Sequence, residues 1–193
     1  MGLGKTHQIM ALMVWICTVK KETAPFLVVC PTTVLSHWHR KILEYAPALK
    51  PFVYHGPDRH LPKRQKSGRV MITSYGVLTN DLHLLSTLKF RLAAFDEAQY
   101  IKNPETKSYQ AATAVPAKMK VAVTGTPIEN RLRDLKSLID LSVPGYLGTD
   151  GFFARRYESE GINRRGELKQ LVRPFALRRT KETVLSELPA KIE

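Results

Sequence analysis

Short, uninterrupted apolar runs alternate with longer stretches whose apolar residues recur every three or four positions. That alternation predicts an α/β fold with a mostly parallel sheet covered by helices on both faces. Phe26 to Cys30, bounded by Pro25 and Pro31, is the first run; Arg69 to Thr73, Leu92 to Phe95 and Lys120 to Val123 come next, each ended abruptly by polar residues. Each has the length of a buried strand. Thr6 to Val19 is apolar at most positions, as a helix buried against a sheet requires. Thr33 to Tyr45 carries Val34, Trp38, Ile42 and Tyr45 at helical spacing, and Asp134 to Leu141 repeats it with Leu135, Leu138 and Ile139. Trp15 and Trp38 are expected in the core, since neither stands in a basic, base-stacking context.

The polar residues at the strand ends carry the chemistry. Pro31-Thr32-Thr33 succeeds the first strand, Thr73-Ser74-Tyr75 the second, Asp96-Glu97-Ala98-Gln99 the third and Thr124-Gly125-Thr126-Pro127 the fourth. In an open α/β sheet the carboxyl ends of parallel strands form the ligand crevice, so these four clusters are expected along one edge. At the front, Gly2-Leu3-Gly4-Lys5-Thr6 matches the last five residues of a P-loop and opens the first predicted helix. Glycines there let backbone amides turn toward phosphate, Lys5 reaches the β and γ phosphates, and Thr6 holds Mg2+. The same residues imitate a myristoylation signal and a short signal peptide, but no Ala-x-Ala-like cleavage site comes after them. Asp96-Glu97 supplies the complement a P-loop needs, with Asp96 ordering the metal and Glu97 polarising the attacking water.

Charge narrows the partners. The 193 residues carry 30 Lys and Arg against 17 Asp and Glu, a net charge of +13, which favours a polyanion and nucleic acid first. Cys17 and Cys30 each sit in an apolar run without metal-ligand spacing, so a disulfide scaffold, a Cys-rich zinc module and any structural metal are not expected. No apolar run reaches the roughly 18 residues of a membrane span. His37 and His39 flank Trp38 on different helix faces with no third ligand near in sequence, which argues against a metal site. Arg59, Lys63, Arg64, Lys66 and Arg69 form a basic run that reads either as a solvated loop or as a DNA contact.

Together these segments resemble a known family. Met1 to Gln8, Asp96 to Gln99 and Thr124 to Asn130 look like motifs I, II and III of superfamily 2 helicases, and more narrowly of Swi/Snf-type DNA translocase ATPases. Ile72-Thr73-Ser74-Tyr75, Ile101-Lys102-Asn103-Pro104, Pro127 to Leu132, Arg173 to Lys181 and Leu188-Pro189-Ala190-Lys191 sharpen that resemblance. It implies a RecA-like P-loop NTPase lobe with a small helical appendage, ATP with Mg2+ as cofactors, and movement along double-stranded DNA that remodels protein–DNA complexes. On this resemblance Gly2, Gly4, Lys5, Thr6, Gln8, Gln99, Thr124 and Thr126 form the nucleotide site, with Thr6 and Asp96 at the metal. Thr32, Thr33, Ser36, Thr73, Ser74, Tyr75, Asn130 and Arg131 fall where the family touches the DNA backbone. The competing reading makes those eight residues strand-end caps and turns.

The resemblance also divides the chain into an ATP-binding lobe at 1–144, a helical protrusion at 145–172, and a brace at 173–193 leading toward a second RecA-like lobe. The family's first strand, the start of its P-loop and that second lobe with its arginine fingers have no counterpart in the sequence, so a fragment inactive alone as an ATPase is expected. Asp-Glu-Ala-Gln before Lys-Asn-Pro resembles bacterial members, implying the cytoplasm and nucleoid rather than a nucleus. Two rival readings stand beside this one: a non-catalytic basic nucleic-acid-binding module, and an RNA helicase lobe. Paired carboxylates at a strand end argue against the first, and the Ile-Lys-Asn-Pro and Leu-Arg-Arg segments argue against the second by resemblance.

Overall fold

The computed structural model describes residues 4–21, 24–61, 70–125, 132–159 and 164–178. Among them the chain divides into two units, one spanning Thr6–Leu147 and the other Gly148–Glu193 together with Met1–Lys5.

The larger unit is built on a five-stranded sheet in the order β2-β3-β1-β4-β5, comprising β1 Phe26–Cys30, β2 Phe52–Val53, β3 Val70–Ser74, β4 Phe90–Asp96 and β5 Ala117–Val123. Every pairing is parallel, with Val28 opposite Ile72 on one side and Ala94 on the other. β1 and β3 are buried at every position, as strands covered on both faces must be, which is why they read as continuous apolar runs.

The pleat sends alternate residues to two different cores. Phe26, Val28, Cys30, Ile72, Leu92 and Ala94 pack against α1 Lys5–Thr18 and α2 Leu35–Tyr45. Leu27, Val29, Met71, Ala93 and Phe95 pack on the opposite face against α3 Tyr75–Asn80, α4 Leu82–Leu85, α5 Lys107–Ala114 and α6 Leu132–Ser142. α2 owes its seat to Leu35, Trp38 and Ile42, spaced three and four apart, and Trp38 is only 1% exposed. α1 corrects one expectation. Its buried stripe is Ile9, Met10, Met13 and Ile16, so Trp15, a step of about 100° from Ile16, lies off the stripe and is 45% exposed, with Lys20 Nζ 5.1 Å from its ring centre. The helix is apolar nearly all round but buried on one side only.

The topology places the edge that matters. Chain order runs from β1 outward to β2 and β3, then crosses to β4 and β5, so the connections leave β1 and β4 in opposite directions and open a crevice at their carboxyl ends. α1 packs through Ile9, Met10, Met13 and Ile16 on the same face of the sheet as α2, the face on which Leu92 and Ala94 lie. None of the helices among the described residues is long and apolar enough to cross a membrane.

The smaller unit holds α7 Asp150–Phe153, a π-helical turn Ala154–Glu158 and α8 Arg165–Val172. Arg156 donates to Glu167 Oε1 from Nε and Nη2 at 3.0 and 2.6 Å, and the Tyr157 hydroxyl donates to the same oxygen at 3.2 Å. Glycine is required at 148: φ is +77° and a Cβ would stand 2.8 Å from the Phe152 ring.

Candidate functional site

Asp96 closes β4, and the alternation Leu92, Ala94, Asp96 points its side chain to the face that carries α1 and α2. It is 9% exposed. Its carboxylate accepts the Trp38 indole N–H at Oδ2 over 2.8 Å and the Glu97 backbone N–H at Oδ1 over 3.0 Å. The sequence marks Trp38 only as a core residue; 58 residues separate it from Asp96, and no local pattern signals such a bond.

Glu97 turns the chain sharply out of the strand. Its φ of 49° and ψ of 53° are left-handed, a conformation that costs an L-residue roughly 1–2 kcal/mol and that places the side chain at the edge, half-buried. The short 3-10 helix Ala98–Ile101 then begins, and Gln99 reaches back to donate from Nε2 to Glu97 Oε2 over 2.9 Å. From the end of β5 the Thr124 hydroxyl donates to Gln99 Oε1, also over 2.9 Å. Glu97, Gln99 and Thr124, which the sequence offers as separate candidates, are therefore one hydrogen-bonded chain across two adjacent strands.

Thr6 and Gln8 lie in the first turns of α1, Thr6 half-buried and Gln8 exposed, while Lys5 opens the helix directly after Gly4 at φ +75°. α1 packs through Ile9, Met10, Met13 and Ile16 on the face to which Asp96 points, and the amino end of a 14-residue helix carries positive potential. This donor set fits a magnesium-bound polyphosphate. Asp96 offers hard carboxylate oxygens with lone pairs to spare and Thr6 a hydroxyl. Mg2+ takes only one or two protein carboxylates and fills its shell with water and phosphate. Among the described residues no group of three or more His, Cys, Asp and Glu side chains forms an all-protein metal site.

Of the second row of expected residues, Thr32, Thr33, Ser74 and Tyr75 border a cleft of about 470 Å³. Thr32 and Thr33 are exposed on the 3-10 turn after β1 and line it; Ser36 is exposed in the first turn of α2. His55, Asn80 and Tyr100 also line the cleft and have no sequence signal. The other segment behaves differently. Thr73 is fully buried and its hydroxyl donates to the Tyr54 carbonyl over 2.8 Å, which corrects its expected place among backbone-contacting side chains. Ser74 Oγ accepts the Val77 N–H at 3.3 Å as the cap of α3. Tyr75 stacks on Tyr100 with centroids 5.9 Å apart and donates its hydroxyl to the Asp96 carbonyl over 2.8 Å. Burial, with the charge of Asp96 nearby, raises its phenol well above the ordinary range. Gly2, Thr126, Asn130 and Arg131 lie outside the described residues, as do Lys63, Arg64, Lys66, Arg69 and the segment from 179 onward.

The SNF2-related domain model matches residues 1–193. YwqA of Bacillus subtilis (strain 168), named for ATP-dependent helicase/translocase activity, is 38% identical over 206 residues, covering all of this chain and 22% of that protein. The TATA-binding protein-associated factor MOT1 of Saccharomyces cerevisiae is 34% identical over 222 residues, covering all of this chain and 12% of its own length. The chain thus spans about a fifth or less of these relatives. The Sulfolobus solfataricus SWI2/SNF2 ATPase core in complex with dsDNA superposes with a TM-score of 0.85 at 37% identity, over 98% of this chain and 41% of that one. The chain belongs to the SNF2-related domain family and has the fold of a SWI2/SNF2 ATPase core lobe.

Proposed function

We propose that this chain is the first motor lobe of an ATP-dependent translocase that moves on double-stranded DNA and remodels protein–DNA complexes, acting with a second RecA-like lobe. One observation carries the reading: Glu97, Gln99 and Thr124 are joined by two hydrogen bonds of 2.9 Å beside the buried carboxylate of Asp96. A binding module has no use for such a linkage, whereas hydrolysis needs a carboxylate held in register with its neighbours.

The roles come from chemistry. Lys5 and the amides at the head of α1 attract the terminal phosphates, and Thr6 and Asp96 hold Mg2+. A Mg2+ ion held there would supply charge neutralisation for the transferred phosphoryl group. Glu97 accepts the proton of the attacking water at the oxygen that Gln99 leaves open, while Gln99 and Thr124 restrain its carboxylate. Gln8 belongs to the same nucleotide set, as do Gly2 and Thr126. Thr32, Thr33 and Ser36 present exposed hydroxyls to the phosphodiester backbone, joined by the segment at Ser74 and Tyr75 and by Asn130 and Arg131. Such contacts hold a duplex without reading its sequence, as a motor requires.

Phosphate release with Mg2+, ATP and saturating duplex DNA tests the reading. Arginine fingers from a second lobe contribute about 10³ to 10⁵ in rate, so the chain alone is expected to show no DNA-stimulated turnover. With its second lobe, turnover is expected and Glu97→Gln abolishes it. Turnover surviving Glu97→Gln would remove the catalytic role; robust turnover by the chain alone, lost in that variant, would overturn the dependence on a second lobe.

A further inference from the structure

Asp96 is bonded from both faces of the sheet. From the α1 and α2 face, Trp38 donates its indole N–H to the carboxylate over 2.8 Å. From the α3 to α6 face, the Tyr75 hydroxyl donates to the Asp96 backbone carbonyl over the same 2.8 Å. Both bonds are buried, where they are electrostatically stronger and where losing a donor leaves an acceptor unsatisfied. Packing explains why Trp38 is buried but not where its only polar atom points, since a phenylalanine would fill that layer with no donor at all.

Each donor also stands on a segment that the DNA reading uses. Trp38 lies two residues beyond Ser36 on the helix that succeeds Thr32 and Thr33. Tyr75 opens α3 immediately after Ser74 and lines the same cleft as Thr32 and Thr33. Two chain segments that border one cleft therefore converge on one residue from opposite sides of the sheet.

We propose that Trp38 and Tyr75 are positioning residues that tie the cleft to Asp96, Trp38 through the carboxylate and Tyr75 through the backbone carbonyl of the same residue, so that a phosphodiester backbone engaged at Thr32, Thr33 and Ser74 re-orients the carboxylate. The inference rests on the reading of Asp96 as a Mg2+ ligand and of the cleft as a DNA site. Its physical basis is that hydrogen bonds to a ligating carboxylate fix which lone pair faces the ion, and that their removal typically changes metal affinity or activity by about 10- to 100-fold. Movement of the Trp38 segment reaches the carboxylate over one bond, and movement of the Tyr75 segment reaches the backbone that carries it.

The chain contains two tryptophans, so 15N-tryptophan labelling gives two indole signals, and the one remaining in the surface variant Trp15→Phe belongs to Trp38. Saturating duplex DNA at low salt is expected to shift the Trp38 signal, and Tyr75→Phe, which removes one hydroxyl and is compared at a duplex concentration that saturates the variant, is expected to lose most of that shift. A duplex that binds, by anisotropy of a labelled strand, without moving the Trp38 signal overturns the proposal and leaves the DNA reading intact. A duplex that fails to bind at low salt removes the DNA reading itself. Mn2+ added alone checks the metal reading separately: it should broaden the Trp38 signal in the parent and not in Asp96→Asn. Equal broadening in both would place the metal elsewhere and remove the basis of the proposal.

Discussion

The Thr124 hydroxyl donates to the Gln99 carboxamide oxygen across 2.9 Å, joining the ends of two neighbouring strands. Because the same carboxamide gives its N–H to Glu97, its orientation is fixed: reversed, its oxygen would face a carboxylate. With the second lobe present, Thr124→Val is expected to lower kcat about 3- to 10-fold, the worth of one hydrogen bond of about 1 kcal/mol. Gln99→Glu sets two carboxylates against each other and should cost more. A Gln99→Glu variant with parental kcat would sever Gln99 from catalysis.

The left-handed backbone at Glu97 gives a prediction about stability. Glu97→Ala and Glu97→Gly both delete the carboxylate, but only glycine adopts φ 49° without a steric cost. The glycine variant is therefore expected to be more stable than the alanine variant by about 1 kcal/mol, a difference of about 2–4 °C in unfolding midpoint for a chain of this size. Equal midpoints by calorimetry would mean that the turn relaxes once the side chain is gone.

How far the sequence reveals this molecule depends on where each signal is stored. β1 is legible residue for residue because a strand buried on both faces is apolar throughout. β5 is legible only in its second half, since Lys118 and Lys120 interrupt the apolar run of an edge strand. β2 has two residues and no pattern, and α5 buries only Ala111 and Ala112, too small a stripe to detect. At the site, residues adjacent in sequence to a strand end, such as Asp96, Glu97 and Gln99, are visible because local chain order places them. The Trp38 bond is not, because it exists only once α2 has folded onto the sheet. Thr73 misleads for a related reason: hydroxyls look alike in sequence, and only the backbone of Tyr54 beside it decides that this one turns inward.

Acid stability gives a third test. Arg59 binds both carboxylate oxygens of Asp81 at 2.6 and 2.9 Å, and Tyr54 donates to the same group at 2.8 Å. The Arg59 hydrogen bonds hold the Asp81 carboxyl below its usual value. A depressed folded-state value means the contribution is complete above the unfolded aspartate pKa of about 3.9 and is lost as pH falls through the folded one. Asp81→Asn should lower the unfolding midpoint by about 5 °C near neutrality, with the gap to the parent closing below about pH 3. A gap that persists unchanged in acid would assign the loss to packing.

Duplex binding should depend on salt. With a net charge of +13 and contacts expected at phosphates, the affinity for labelled duplex should fall at least about tenfold between about 50 and 200 mM salt, equally for unrelated sequences. Salt-independent binding, or preference for single-stranded RNA, would favour a different partner.

Cys30 ends the central strand β1 with no exposed surface, and burial together with the Asp96 charge pushes its thiol up to about 12. A thiol so protonated and enclosed is inert toward alkylating reagents while the sheet is closed, because the thiolate is the nucleophile. Cys17, half-buried on α1, is the other free cysteine. The order in which the two cysteines are alkylated is therefore a clock within the sequence: Cys17 reads surface access, and Cys30 marks the moment the middle of the sheet comes apart.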